Sequence, residues 1–161
     1  MRQGGEDVEK QVIIRLPSTT GRVQSHTIPQ VNQAIDAQTQ SKVFHLAEMG
    51  PQAITQRLQE LDQEWDTERV LEVTSSTFVL LGLLLGSGRD KKWLALSAVV
   101  GGFLLSHALD GWCPPLPVIR RFGVRTSQEI EKERLALRAV RGDLGKTFSP
   151  QEAWALVTSA S

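Results

Sequence analysis

Residues 71–113 read LEVTSSTFVLLGLLLGSGRDKKWLALSAVVGGFLLSHALDGWC, and this stretch decides the fold. It holds two apolar runs, 73–88 and 93–109, on either side of a charged turn. The first run has no charged residue, and the second has only His107 as a titratable group. Each run is apolar on all sides and spans about 24–26 Å, slightly less than the hydrocarbon core of a bilayer. The stretch therefore predicts a hairpin of two short membrane-spanning helices.

Small residues recur along both predicted helices. Lipid provides no hydrophobic drive between helices, so close backbone contact at small residues is the usual basis of their association. The first helix contains a GxxxG motif, and the second contains two ridges that are offset by one residue. We predict that one pair of ridges packs within the hairpin and that the Ser97/Gly101 ridge faces a second copy of the chain. The predicted packing residues are Ser75, Gly82, Gly86, Ala98, Gly101, Gly102 and Ser106.

Aromatic and basic residues mark the expected membrane boundaries. Tryptophan is enriched at headgroup depth, and arginine pairs with anionic headgroups. The expected interfacial anchors are Trp65, Trp93, Trp112, Arg120 and Arg121.

The turn carries three Lys or Arg residues, whereas the two flanks carry five arginines close to the helices (Arg57, Arg69, Arg120, Arg121 and Arg125). The positive-inside rule therefore favours a cytoplasmic position for both termini.

The N-terminal flank divides into two parts. Residues 1–35 are rich in Gln, Ser, Thr and Gly, which predicts a mobile or extended arm. Residues 36–68 predict an amphipathic helical segment, in which Pro51 opens a helix whose apolar stripe is Ile54, Leu58, Leu61 and Trp65. The stripe is either a packing face, against the hairpin or a second copy, or an interfacial face with Trp65 at headgroup depth. Since no breaker is evident at 66–69, we expect this helix to continue into the first apolar run.

The C-terminal flank begins with a proline-rich segment and continues with two helices. Prolines at 114, 115 and 117 predict an extended segment. Capping boxes at Thr126–Glu129 and Ser149–Glu152 predict one helix to about Arg141 and a shorter last helix, both within the segment 127–161. Arginines on the first of these helices form either a solvated face or a face that lies on anionic lipid. The predicted fold class is all-α.

Composition excludes several classes of function. Eighteen basic and eighteen acidic residues cancel, so nothing favours nucleic acid as a partner. A single cysteine excludes an internal disulfide framework and a cysteine-cluster metal site, and the three histidines are dispersed. Acidic residues occur at positions 6, 7 and 9, where a signal peptide would have its apolar stretch, so we do not expect a cleavable signal peptide. No catalytic constellation occurs, so we expect neither an enzyme nor a bound cofactor.

Cys113 is the one side chain with clear chemical potential, and His107 lies six residues before it. A thiol becomes reactive where nearby cations or a helix N-terminus lower its pKa. Cys113 is either a structural residue at the helix end or a redox, acylation or intersubunit-disulfide site, with haem or metal ligation as the remaining alternative. An ionisable residue at membrane depth is often functional, but His107 near a helix end can also bond to backbone or interfacial water.

The stretch of about residues 65–126, which contains the predicted two-helix membrane domain at 69–126, resembles the YgaP-like inner-membrane transmembrane domain family. The resemblance rests on Glu68-Arg69, on the two short apolar helices, on Gly111-Trp112-Cys113-Pro114 and on residues 122–126, FGVRT. It implies a helical hairpin of the bacterial inner membrane that is often dimeric and sometimes fused to a sulfur-transferring rhodanese domain. The chain lacks a second cysteine and the α/β alternation of a rhodanese, so sulfur transfer is not carried over.

Two hypotheses of function follow from the sequence. The first is a non-enzymatic integral protein of the inner membrane that forms a homo-oligomer, with a dimer favoured, and presents its flanking helices to an unidentified protein partner. The second is a membrane thiol module that uses Cys113 in redox or sulfur chemistry. A soluble helical bundle with the hairpin buried inside it is a further alternative.

Overall fold

The computed structural model describes residues 21–159, and these residues form helices and no strand. The prediction of an all-α fold is therefore confirmed for this part of the chain, while the first twenty residues of the expected arm lie outside it. The helices in chain order are α1 (Arg22–Ser25), α2 (Pro29–Met49), α3 (Pro51–Gln63), α4 (Thr67–Gly88), α5 (Trp93–Asp110), α6 (Leu116–Arg121), α7 (Ser127–Arg141) and α8 (Pro150–Ser159).

Helices α2, α3, α7 and α8 pack into one bundle, which we call the flank bundle. The predicted stripe residues Ile54, Leu58 and Leu61 are buried in its core, opposite side chains from the other three helices. The core residues are Val43, Ile54, Leu58, Leu61, Ile130, Ala136, Leu137, Trp154 and Val157. The segments 36–68 and 127–161, which the sequence separates, thus share one hydrophobic core. Trp65 continues the stripe in the sequence but stays outside the core and is 49% exposed.

The long helix expected across 51–88 is interrupted, which corrects the sequence-based prediction. Helix α3 ends at Gln63, and Glu64 is extended. Asp66 then caps α4, with its carboxylate accepting a hydrogen bond from the Arg69 amide at 2.8 Å. The interruption also allows the Thr67 amide to donate to the Arg125 carbonyl at 2.8 Å. The start of α4 is therefore joined to the segment that leads into α7.

The described part of the expected N-terminal arm is mostly helical, which is a second correction. Helix α1 lies within it, and α2 begins at Pro29 because proline fits the first helical position. Val23 of α1 is buried with Leu71 and Leu116 in a second, smaller core. The Arg22 guanidinium donates to the Ala108 carbonyl at 2.9 Å. These contacts fix the segment 21–28 against α4, α5 and α6.

The proline-rich segment forms helix α6 rather than an extended segment, a third correction. Pro115 is the N-cap residue and Pro117 the second residue of the helix. Prolines are tolerated there because the first amides of a helix have no intrahelical acceptor.

Before this helix, Gly111 ends α5 at φ 80°, and a Cβ at this position would lie 2.7 Å from Arg22 Cβ. Glycine is therefore required for both the turn and the close approach of α1.

Both predicted capping boxes are confirmed. The Thr126 hydroxyl accepts from the Glu129 amide at 3.3 Å, and the Glu129 carboxylate accepts from the Thr126 amide at 2.8 Å. The equivalent pair of hydrogen bonds joins Ser149 and Glu152. Helix α7 ends at Arg141, as predicted, with Gly142 in the left-handed conformation.

Helices α4 and α5 pack against each other across the turn at 89–92, and we call them the apolar pair. A Cβ on Gly82 would lie 2.9 Å from the Trp93 carbonyl oxygen, and one on Gly86 would lie 2.6 Å from Leu94 Cδ2. The Ser97 hydroxyl donates to the Val79 carbonyl at 2.9 Å. The glycines of α4 therefore permit the close approach of α5.

The Ser97/Gly101 ridge, which was predicted to face a second copy, is divided between two environments. Ser97 faces α4, whereas Ala98 and Gly102 are exposed. Cβ atoms built on Gly101 or Gly102 would meet no atom within 4 Å. Ser75 and Ser106 are half-buried. Within the described chain, Ser97 therefore packs against α4, and the small residues left open on α5 are Ala98, Gly101 and Gly102.

Candidate functional site

The apolar pair exposes a large hydrophobic surface. The stretch Pro51–Gly88, which contains α3 and α4, and helix α5 (Trp93–Asp110) each contain a window that is long and apolar enough to cross a membrane. Only 17% and 6% of their most apolar windows are buried, so the rest of the described chain covers little of this surface. The most exposed large side chains of the pair are Leu80, Leu84, Val99 and Leu105.

Four of the five expected interfacial anchors are exposed. Trp93 and Trp112 lie at the two ends of α5, and Trp65 lies just before α4, with the Arg69 guanidinium 5.2 Å from its ring centre. Arg121 is exposed on α6. Arg120 is not available to headgroups because it is only 1% exposed, which corrects the expectation for this residue.

Arg120 connects α6 to α7, to α2 and to the two segments that contain Thr27 and Val124. Its guanidinium donates to the Glu129 carboxylate at 2.6 and 2.7 Å and to the Asn32 side-chain oxygen at 2.8 Å. It also donates to the Val124 carbonyl at 3.0 Å and to the Thr27 hydroxyl at 3.2 Å. These partners make Arg120 a structural link between the base of the apolar pair and the flank bundle.

A second buried ionic cluster lies at the same junction. Glu133 of α7 is fully buried and pairs with Arg125 and with Arg57, whose Nε lies 2.8 Å from its carboxylate. Arg125 in turn lies 2.7 Å from Glu64. Burial alone would raise the pKa of the Glu133 carboxyl, but the hydrogen bonds and charges of Arg57 and Arg125 outweigh it and hold this pKa below its ordinary value. The cluster fixes α3, α7 and the segment before α7 relative to one another.

A cavity of about 190 Å³ lies between α4 and α5, near the end of the pair that meets the flank bundle. Helix α4 lines it with Leu71, Thr74, Ser75 and Phe78, which share one helical face. The walls are almost entirely apolar. Only Ser75 of these residues was predicted from the sequence, as a packing residue, although their i, i+3, i+4, i+7 spacing places them on one face.

Helix α5 lines the opposite wall with Val100, Phe103, Leu104 and His107, which have the same spacing. Cys113 and the two prolines after it close the end of the cavity. The structure therefore brings His107 and Cys113, the two candidate residues, to one cavity. The sequence did not identify the aromatic and aliphatic side chains between them as cavity residues, because an apolar residue in an apolar helix carries no distinguishing signal.

Cys113 is only 2% exposed. Burial raises the pKa of its thiol, and the nearby Leu116 backbone only partly opposes this effect. Arg120, which follows Cys113 by seven residues in the sequence, directs its guanidinium to Glu129 and Asn32. The environment of Cys113 thus favours the neutral thiol, which is the less reactive form.

His107 is 5% exposed, and neither of its ring nitrogens has a hydrogen-bond partner in the described chain. The backbone of Gly111 lies near the ring but does not meet hydrogen-bond geometry at either nitrogen. Buried polar groups normally have a partner, so a buried histidine with two unpaired nitrogens is an exception in this fold. Within residues 21–159, no group of three His, Cys, Asp or Glu side chains is placed to hold a metal ion.

Comparison of the chain with protein-family models, curated proteins and solved structures finds no match.

Proposed function

We propose that this chain is a non-enzymatic integral protein of the bacterial inner membrane. In this proposal the apolar pair forms a two-helix transmembrane hairpin, and the flank bundle lies on the cytoplasmic side as a module for a protein partner. The observation that carries the proposal is the exposure of the apolar pair along both helices, since only lipid or another apolar surface would cover it. The resemblance to the YgaP-like family favours the bacterial inner membrane.

The position of the flank bundle supports the same topology. Helix α4 begins and α5 ends at the same end of the pair. Helix α6 and the contacts of Thr67 with the segment before α7 lie at this end as well. Both flanks are therefore on one side of the proposed bilayer, and the turn at 89–92 is on the other. The flanks carry more arginine near the helices than the turn carries Lys and Arg, which favours the cytoplasm for the bundle.

We further propose that the hairpin forms a dimer through the Ala98/Gly102 ridge. Small residues that are exposed on a lipid-facing helix allow a second helix to approach closely. Ala98 and Gly102 are exposed on the face of α5 away from Ser97, which already contacts α4. We therefore place the second copy on this ridge.

Cysteine crosslinking in membranes tests the dimer. In a Cys113→Ser background, we expect Gly102→Cys to form a disulfide-linked dimer on mild oxidation, seen on a non-reducing gel. Ser97→Cys is the matched control, since this position faces α4 of its own chain. Equal crosslinking of the two variants, or crosslinking of Ser97→Cys alone, would contradict the proposed interface.

The thiol module is the weaker candidate function. It needs a reactive thiolate, whereas the burial of Cys113 and the raised pKa of its thiol favour the neutral form. The Cys113→Ser variant separates the candidates, because the interaction module predicts that membrane insertion and oligomer size are unchanged by it.

A further inference from the structure

Helix α6 has one buried face and one exposed apolar face. Leu116 and Arg120, which are four residues apart, are both buried. Val118 and Phe122 have the same spacing on the opposite side, and they are 54% and 83% exposed. Phe122 is more exposed than any other large apolar side chain in the described chain. Single exposed apolar residues are ordinary, so the meaning of this face depends on whether it belongs to a larger apolar surface.

The exposed face of α6 continues the exposed surface of the apolar pair. Pro114 and Pro115, which lead into α6, line the cavity between α4 and α5 together with Thr74. Thr74 lies in the first turn of the charge-free run 73–88, so α6 begins beside the start of that run. Trp112, between α5 and α6, is exposed as well. The apolar surface therefore extends from the two long helices onto α6.

A basic side chain flanks the apolar face of α6. Arg121 is exposed, and within residues 21–159 its guanidinium has no hydrogen-bond or ion-pair partner. Its neighbour Arg120, by contrast, is held by Glu129 and Asn32. A helix with apolar side chains on its exposed face and an arginine beside them suits the headgroup layer of a bilayer, where the apolar groups reach the acyl chains and the arginine meets phosphate.

We propose that α6 lies in the headgroup layer and inserts Val118 and Phe122 into the acyl boundary of the bilayer. In this position the guanidinium of Arg121 meets lipid phosphate. Arg120, on the buried face, joins α6 to α7 and α2, so the depth of α6 fixes the flank bundle at the membrane surface. The inference rests on the proposed function, because the inserted hairpin brings α6 to the membrane.

Spin labels on single cysteines test the depth of α6. The full chain with Cys113→Ser is reconstituted in vesicles of phosphatidylcholine and phosphatidylglycerol, and a nitroxide is attached at Val118→Cys or Phe122→Cys. Collisions with oxygen, which concentrates among the acyl chains, and with a water-soluble nickel chelate give the depth of each label. We expect both labels at about 5–10 Å into the headgroup and acyl boundary, which is the depth of the apolar face of an interfacial helix.

Two further labelled positions provide the references. Val99 is exposed on α5, about 16 Å along the helix from Asp110, so the label of Val99→Cys should lie deeper than both labels on α6. Leu144 is an exposed apolar residue that follows the end of α7 in the flank bundle. Leu144→Cys is the matched control for exposure alone, and its label should lie in water.

A second substitution in the Val118→Cys protein tests whether Phe122 anchors the helix. Phe122→Ser removes the most exposed apolar ring, so the label at position 118 should move toward water. Leu144→Ser removes an exposed apolar side chain from the flank bundle and should leave the depth of that label unchanged. Equal depths in the two variants would overturn the role of Phe122 as an anchor.

The depth measurements also separate this inference from the proposed function. Labels at 118 and 122 that meet the nickel chelate as readily as the label at 144 would overturn the insertion of α6. Labels at 118 and 122 that neither oxygen nor nickel reaches would overturn it too, since a second copy or another protein would then cover α6. With a deep label at Val99, either result leaves the hairpin inserted. A label at Val99 that lies in water overturns the proposed membrane insertion as well.

Discussion

Replacing Glu133 with alanine is expected to lower the free energy of unfolding by about 3–5 kcal/mol, because it leaves two buried arginines without their shared partner. Glu133 is fully buried and pairs with Arg57 and Arg125, which are themselves mostly buried. Burial of these charges is tolerable only while they compensate one another. Chemical denaturation in mild detergent, followed by circular dichroism of the helices, measures the change.

The matched control for this variant is Glu131→Ala on the same helix. Glu131 is exposed and pairs with Arg134 at the surface, so its loss should change the free energy of unfolding by less than about 1 kcal/mol. Equal losses for the two variants would show that the buried cluster has no special role in stability.

The pH dependence of stability provides a second readout of Glu133. The pKa of its carboxyl is lower in the folded chain than its ordinary value. The carboxylate therefore stabilises the fold fully above the ordinary glutamate pKa of about 4.3, and this contribution is lost as pH falls through the lower folded value. Glu133→Gln should lack this part of the acid destabilisation, whereas Glu131→Gln should retain it.

The second large effect is expected at Arg120. Arg120→Met keeps an unbranched side chain but removes the guanidinium that joins Asn32, Glu129 and the Val124 carbonyl. We expect a loss of about 3–5 kcal/mol in the free energy of unfolding, since Glu129 loses its buried cation and Asn32 its donor. The same denaturation experiment measures it.

Arg121, the next residue in the sequence, provides the matched control for Arg120→Met. Arg121 is exposed on α6, so Arg121→Met should change the free energy of unfolding by no more than about 0.5 kcal/mol. A large loss for Arg121→Met, or none for Arg120→Met, would mean that the network around Arg120 does not hold α6 to the flank bundle.

Local chemistry made several elements predictable from the sequence. The reciprocal hydrogen bonds of a capping box depend on two residues three positions apart, so Thr126 and Ser149 marked the starts of α7 and α8 correctly. The charge-free runs likewise indicated two long apolar helices. The break before α4 had a signal too, because Asp66 is a favoured N-cap residue, but the apolar stripe continuing to Trp65 concealed it.

Features that depend on distant parts of the chain were not predictable. Arg120 next to Arg121 has the appearance of a surface pair, and only folding brings Asn32, 88 residues away, to one of them. Arg125 similarly meets Glu64 across 61 residues. The choice between the Ser97 and Ala98 ridges depended on the crossing geometry of two helices, since neighbouring residues on a helix point about 100° apart. His107 and Cys113 were identified because they are chemically distinct from the residues around them, whereas the cavity between them was not.

Membrane insertion of the apolar pair is the central claim, and extraction of membranes with alkaline carbonate tests it most directly. Membranes from cells that express the full chain are washed at high pH, sedimented and probed for the protein in pellet and supernatant. Insertion predicts that the protein stays in the pellet and is released only by detergent. Recovery of the protein in the carbonate supernatant would contradict the account, since the exposed surface of α4 and α5 would then require a covering other than lipid.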